Sequence, residues 1–326
     1  MEGLKLSVVV PCYNEENVLC ELHRRITTVS ESSVNNSYEI VFVNDGSRDA
    51  SWKIMQEISH SDPHVVSINL SRNHGHQIAL SAGLQMCRGE RVFVLDADLQ
   101  DPPELLTQMM ARMDDGCDVV FGQRIKREGE SVFKKTSAYI FYRLLDSMTD
   151  IKIPKDTGDF RLMNRRTVDV LNSMPEQHRF VRGLISWIGL RQEALPYARA
   201  TRFAGESKYP MPKMIRFALD AITGFSVRPL RISAYLGIFS SIAALMLLAY
   251  IFTQYITGNN IRGWTSLAAI ILLLGSAQML MIGVMGEYLG RLYIESKGRP
   301  LFVIQEIVSS PNPSDPQVLP LKAPTR

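Results

Sequence analysis

The chain has 326 residues, 46% of them hydrophobic, and 36 Lys and Arg stand against 33 Asp and Glu for a net charge of +3. This balance excludes a disordered chain and a disulfide-rich scaffold, and it offers no strongly basic surface for nucleic acid. The mean hydropathy of −0.01 hides an uneven distribution: residues 232–286 hold one charge, Arg262, where the chain-wide proportion would put roughly 11 or 12, which excludes a wholly soluble enzyme.

In chain order, the first 125 residues alternate short β-branched runs with amphipathic stretches, the pattern of a parallel sheet covered by helices. Strands are predicted near 5–11, 38–43, 65–70, 91–95 and 118–122, with helices near 16–30, 50–60, 76–87 and 102–115. Asp101 sits at a capping position, and prolines 102 and 103 occupy the first turn of the last of these helices. Polar clusters follow the first four strands: Cys12-Tyr13-Asn14-Glu15, Asn44-Asp45-Gly46-Ser47, Ser71 to Gly75, and Asp96-Ala97-Asp98. Any one of them reads as an ordinary turn. Together they fall at strand carboxyl ends, where open α/β sheets bind ligands.

Residues 123–135 are basic and polar, either a loop over the site or a solvated linker. A mixed region to about 210 contains Asp156-Thr157-Gly158-Asp159-Phe160-Arg161 and the segment from Arg202 to Tyr209. Residues 211–231 place apolar side chains at 214, 218, 221, 222 and 225 on one helical face, with Lys213, Arg216 and Asp220 elsewhere. The two readings of that helix are a membrane-interface position and core packing. Residues 232–256 and 264–289 are each long enough to cross a bilayer. Lys213, Arg216, Arg228 and Arg231 precede the first and Arg291, Lys297 and Arg299 follow the second, so the positive-inside rule puts both ends in the cytoplasm and the 257–263 loop outside. Gly283, Gly286 and Gly290 allow close helix approach, either between the two spans or between copies of the chain in a homo-oligomer. The proline-rich tail from Ser309 is expected to be disordered. The four cysteines form no C-x-x-C pair and read as reduced thiols, and the apolar run 8–10 is too short for a secretory signal.

Asp96 and Asp98 put two carboxylates at a tight strand exit, with Gln100 and Asp101 following. Hard cations such as Mg²⁺ or Mn²⁺ are commonly held by one or two carboxylates plus substrate phosphates. By itself the D-x-D pattern is weak. No G-x-G-x-x-G follows the first strand and no G-x-x-x-x-G-K-[ST] occurs, which removes the main support for dinucleotide and P-loop readings. The i,i+2 spacing of His74 and His76 beside Arg72 and Asn73 favours loop hydrogen bonding over coordination.

PCYNEE, the NDGS turn, SRNHGHQIALSAG, DADLQDPPE, TGDFRLM, the GESKY segment and GEYLGRLYIESKGRP, taken in order over residues 5 to about 305, resemble the membrane-bound polyisoprenyl-phosphate glycosyltransferases. That group includes dolichol-phosphate mannose synthase and the bactoprenol glucosyltransferases of O-antigen modification. The resemblance implies an inverting GT-A domain over 1–210, the juxtamembrane helix, two spans and a cytosolic tail over 290–326. It implies a sugar donor activated as a nucleotide diphosphate, with uracil and glucose favoured, and a polyprenyl monophosphate acceptor at the cytoplasmic membrane face. It places Pro11, Tyr13, Glu15 and Asp45 around the nucleoside, Asp96, Ala97 and Asp98 beside the diphosphate, and Asp96 and Asp98 on the metal, with Asp98 favoured as direct ligand. Arg124, Arg161, Arg202 and Lys208 become phosphate-binding residues, although surface solvation also accounts for the exposed ones. Asp159 falls where the family reading puts a catalytic base, with Asp156 as rival. A phosphate monoester is already mostly dianionic at neutral pH, so Asp159 is equally read as orienting Arg161 or the sugar. A processive polysaccharide synthase is disfavoured by the absence of Q-x-x-R-W, and a non-catalytic scaffold by retention of Asp96, Asp98 and Asp159.

Overall fold

The protein is described by a computed structural model covering residues 3–125, 154, 157–198, 223, 226–257 and 263–310. Two compact units are present: residues up to 198 together with 300–310, and residues 226–299.

The first unit is built on one mixed sheet in which α/β alternation holds as far as β5. Its elements are β1 (Leu6–Cys12), α1 (Leu19–Val34), β2 (Tyr38–Asn44), α2 (Ser51–Ser61), β3 (Val65–Leu70), α3 (His76–Met86), β4 (Arg91–Val94), α4 (Leu106–Asp114) and β5 (Val119–Arg124). After the segment that follows β5 come β6 (Thr157–Asn164), α5 (Arg165–Ser173), α6 (Val181–Ile188) and β7 (Gln192–Tyr197). The strand order is β7-β5-β6-β4-β1-β2-β3-β8, where β8 is Ile304–Ser309. β4, β1, β2 and β3 run parallel, while β6 runs antiparallel between β4 and β5 and β8 antiparallel to β3.

Local sequence accounts for the central strands. All seven residues of β1 and of β2 are buried, as continuous Val/Ile/Leu runs require when helices cover both faces. α1 buries Leu19, Leu22, Ile26, Val29 and Val34 at helical spacing. α3 lies unusually close to the sheet: a Cβ at Gly83 would meet Val9 Cγ1 at 2.4 Å.

Strands β6, β7 and β8 are not marked by the sequence pattern, and each has a physical reason. β6 carries Gly158, Asp159 and Arg161 within a buried strand, and β7 contains Pro196. β8 is an edge strand of half-exposed residues, reached only after the second long helix. It covers the edge of β3, and Ser71 N–H donates to Val303 O at 2.9 Å just beyond the pairing.

The second unit contains α7 (Arg228–Ile256) and α8 (Trp264–Ser296), both long and apolar enough to cross a membrane. α8 continues seven residues past the expected 289 boundary, because nothing breaks the helix before Gly298, whose φ is +54°, and Pro300. Within the described residues the close approach is at Gly237, where a Cβ would lie 3.2 Å from Met281 Sδ, whereas Gly283, Gly286 and Gly290 have nothing within 4 Å. Those three glycines therefore do not pack the two helices together. Asp156, Arg202, Lys208, most of the 211–231 helix, the 258–262 stretch and the tail beyond 310 lie outside the described residues.

Ending the chain after Phe302 removes β8 and bares the β3 edge. An unpaired edge promotes association, so the truncated protein should show a lower thermal midpoint and a larger particle by light scattering. Unchanged midpoint and particle size would contradict the role given to β8.

Candidate active site

Strand direction decides which residues meet. β1 to β4 bring their carboxyl ends to one edge of the sheet. Because Arg161 of the antiparallel β6 pairs with Val94, the end of β4, residues 157–159 project past β4 to that same edge. β5 and β7 end there with Arg124 and Tyr197.

The first three loops are laced to one another. Asn14, in the left-handed region at φ 57°, donates its N–H to Ser47 Oγ (3.0 Å), and its Oδ1 accepts from Arg48 N–H (2.8 Å). Glu15 N–H donates to Ser51 Oγ (2.8 Å). Asp45 is buried, and its two carboxylate oxygens accept the main-chain N–H groups of His74 (2.7 Å) and Gly75 (3.0 Å). Burial pushes its pKa up, against these two hydrogen bonds. Asp45 is thus a bracket that shapes the β3 loop. Pro11 is buried in β1, Tyr13 is exposed at the rim and Glu15 is half-buried.

Asp159 occupies the centre. It is 4% exposed, yet polar and cationic partners surround it: Oδ2 accepts from Gln77 Nε2 (2.7 Å) and lies 3.2 Å from His76 Nε2, while Oδ1 lies 3.2 Å from Arg182 Nε. Burial works against the carboxylate, but the charges of Arg182, His76 and Arg161 and the His76 hydrogen bond outweigh it and hold the pKa well below the carboxylate range. Burial likewise opposes charge on His76, but the Asp159 hydrogen bond and the charges of Asp96 and Asp159 prevail and raise its pKa to about 9. Asp96, 3.4 Å from His76 Nε2 through Oδ1, is pushed up to about 6, chiefly by burial.

His76, Asp96 and Asp159 each offer one atom within 4.8 Å of the others, and this is the group that could hold a metal among the described residues. Asp96 Oδ1 is buried without a hydrogen-bond donor, and hard carboxylate oxygens suit Mg²⁺ or Mn²⁺. The carboxylate oxygens of Asp96 and Asp159 therefore fit a divalent cation, whereas His76 would join them as a ligand only in its neutral form. Asp98 stands outside this group; its Oδ1 accepts from Gln100 N–H (3.1 Å) across a turn in which Leu99 adopts φ 57°, while Ala97 is buried.

Arg124 is steered by two residues. Its Nε donates to Tyr197 Oη (3.3 Å), its Nη2 lies 3.7 Å from Asp101 Oδ2, and Tyr197 Oη donates to Asp101 Oδ1. Asp101, expected as a helix cap, is fully buried and joins the metal-candidate loop to β5 and β7 instead. Arg161, expected at a phosphate, is 4% exposed; burial lowers its pKa to about 10, and its Nη2 donates to Gly158 O (2.9 Å). Its guanidinium thus lies buried beside Asp159, bonded to the main chain of β6.

No local signal in the sequence marks Gln77, Tyr197 or Arg182, and His76 is marked only as a loop residue. His76 opens α3 and Arg182 lies in the first turn of α6, and no local pattern joins them, because the pairing runs through Asp159 at separations of 83 and 23 residues. The i,i+2 spacing suggests loop hydrogen bonding for both histidines; His74 does contribute its main-chain N–H to Asp45, whereas the His76 ring meets Asp159 and Asp96 within the group that could hold a metal.

Gly46, at φ +67°, packs under this edge with its missing Cβ 2.6 Å from Asn73 N and 2.7 Å from Arg72 C. Gly46→Ala should cost about 1–3 kcal/mol or more in thermal unfolding, the scale of a forced left-handed residue. An unchanged midpoint would contradict the packing of the second and third loops.

Residues 7–171 match glycosyl transferase family 2, and residues 228–292 match the GtrB C-terminal hairpin. A glycosyltransferase of Bacillus subtilis, YkcC, is 47% identical over 304 residues, covering 93% of this chain and 94% of that protein. The bactoprenol glucosyl transferase of Shigella phage SfV is 41% identical over 305 residues (93% and 98%), and a prophage bactoprenol glucosyl transferase homolog of Escherichia coli K12 is 40% identical over 307 residues (93% and 99%). The matches run through both the GT-A domain and the helical hairpin, and the chain belongs to glycosyl transferase family 2, as a glycosyltransferase that carries the GtrB-type hairpin.

Proposed function

We propose that the protein transfers a sugar, glucose in the favoured reading, from a uridine diphosphate donor to a polyprenyl monophosphate at the cytoplasmic face of a membrane. The observation that carries this reading is the coexistence in one chain of the laced carboxyl-edge site around Asp96 and Asp159 with two long apolar helices. A water-soluble nucleotide sugar needs an aqueous pocket, and a polyprenyl phosphate keeps its tail in lipid. The relatives named for bactoprenol glucosyl transfer support the same pairing.

In the proposed reaction an oxygen of the acceptor phosphate attacks the anomeric carbon, the bond from that carbon to the diphosphate oxygen breaks, and the nucleoside diphosphate leaves with the electron pair. One displacement inverts the anomeric centre. The acceptor phosphate is largely dianionic at neutral pH, so the step requires little proton removal. Asp159, held far below the ordinary carboxylate range by its cationic neighbours, is a poor proton acceptor and is assigned the task of fixing those neighbours. Asp96, joined by Asp98 from the adjoining turn although that residue lies outside the group of His76, Asp96 and Asp159, would hold Mg²⁺ or Mn²⁺, whose contribution when bound is to neutralise charge on the departing diphosphate. Arg124, which Tyr197 and Asp101 orient, is assigned to phosphate oxygens, and Tyr13 and Glu15 are assigned to the nucleoside. Asp156, Arg202 and Lys208 retain their assigned roles as rival acid and phosphate ligands.

Membranes containing the protein, incubated with labelled nucleotide sugars and undecaprenyl phosphate, should form a mild-acid-labile sugar lipid, most rapidly with UDP-glucose. Polymer, or no lipid product from any donor, would contradict the proposal. Asp98→Asn should abolish turnover with donor and metal saturating, and chelation of divalent cations should do the same to the parent enzyme and reverse on adding Mg²⁺ or Mn²⁺. Near-normal transfer in the variant would overturn the metal assignment.

A further inference from the structure

We propose that Arg182, with the His76 ring beside it, seats the phosphate of the acceptor. This rests on the reading above that the acceptor carries a phosphate, and it assigns that group a place in the site. Arg182 Nε lies 3.2 Å from Asp159 Oδ1, and its Nη1 donates to Thr157 O at 2.9 Å, so β6 orients the guanidinium from below. The His76 ring meets the other oxygen of the same carboxylate. The exposures are unequal in a telling way: His76 is 44% and Arg182 28% exposed, against 4% for the carboxylate they share. A ligand on this face therefore meets the nitrogens of His76 and Arg182, with the Asp159 charge beneath them and the 26% exposed Asp96 at their side.

Asp96 flanks His76 on its other oxygen contact, at 3.4 Å, and sets the anionic limit of the seat. Arg161, fully enclosed, adds positive charge from underneath without reaching the surface. A partly exposed, pre-oriented guanidinium paired to a buried carboxylate suits a tetrahedral dianion, which accepts charge-assisted hydrogen bonds from its terminal nitrogens. Asp159 holds the fork in place before the phosphate arrives, which lowers the ordering cost of binding.

The test uses the purified full-length protein in lipid discs, with steady-state kinetics for each substrate and nucleoside diphosphate binding by calorimetry. Arg182→Met should raise KM for polyprenyl phosphate by about 10-fold or more, the loss of charge-assisted hydrogen bonds, while donor KM and nucleotide affinity stay within about 2-fold. Arg182→Lys, which keeps the charge and loses the fork, should recover part of that loss. Because nucleotide affinity reports an intact fold, a Met variant that also loses it is replaced by the Lys variant: a raised acceptor KM there supports the seat. Unchanged acceptor KM in the folded variants, or a rise confined to donor KM, overturns it. A parent enzyme that ignores polyprenyl phosphate but uses another phosphate-bearing acceptor, with the same dependence on Arg182, supports the seat while overturning the lipid acceptor. Transfer to no phosphate-bearing acceptor overturns both.

Discussion

A carboxylate taken out of water must be paired, and the pairing of Asp159 organises this site. Removing a carboxylate from solvent costs several kcal/mol unless cations and hydrogen-bond donors replace the lost water. Gln77 and His76 supply them from the start of α3 and Arg182 from the start of α6, so one buried charge ties two helices to strand β6. The antiparallel entry of β6 beside β4 is what carries Asp159 to the carboxyl edge of the parallel strands. A second buried acid, Asp101, ties Tyr197 and Arg124 together at the ends of β7 and β5. The partly exposed groups left at this edge include the His76 ring, the Arg182 guanidinium and the Asp96 carboxylate.

The sheet geometry explains why so many distant segments contribute. Parallel strands deliver their loops to a single edge, and here the loops after β1, β2 and β3 are further fixed by Asn14, Ser47 and Asp45 bonding across to neighbouring main chain. Gly46 allows the third loop to lie directly on the second. The α7–α8 hairpin has a separate logic. Its side chains are apolar and outward-facing over lengths that match a bilayer, whereas the first unit buries a conventional hydrophobic core. The near-zero mean hydropathy of the chain is the sum of these two solutions to different solvents.

The parallel half of the fold was legible because continuous Val, Ile and Leu runs have few alternatives. β6, β7 and β8 were not, because Asp159 and Arg161 inside a buried strand, Pro196 in β7 and the half-exposed pattern of β8 all break the pattern that marks a strand. At the site, Asp96 was legible as part of a short motif at a strand end and Asp159 only through the family resemblance of its segment, and the two do converge. Their partners were not: a helix-opening His76, the Arg182 of a different helix and a Tyr197 at a strand end acquire meaning only through contacts between segments far apart in the chain. Arg161 shows what a motif leaves out: its position beside Asp159 suggests a phosphate contact, while its burial and its bond to Gly158 O come only from the fold.

The claim that most needs testing is that Asp159 anchors cations and does not take up a proton. Transfer rate against pH, at saturating metal and donor, should be measured with acceptors whose phosphate second pKa values differ, such as the natural monoester and its thiophosphate. If Asp159 only anchors, the acid limb of the profile moves with the acceptor. An acid limb that stays fixed across acceptors and disappears in Asp159→Asn would identify Asp159 as the base and contradict that role.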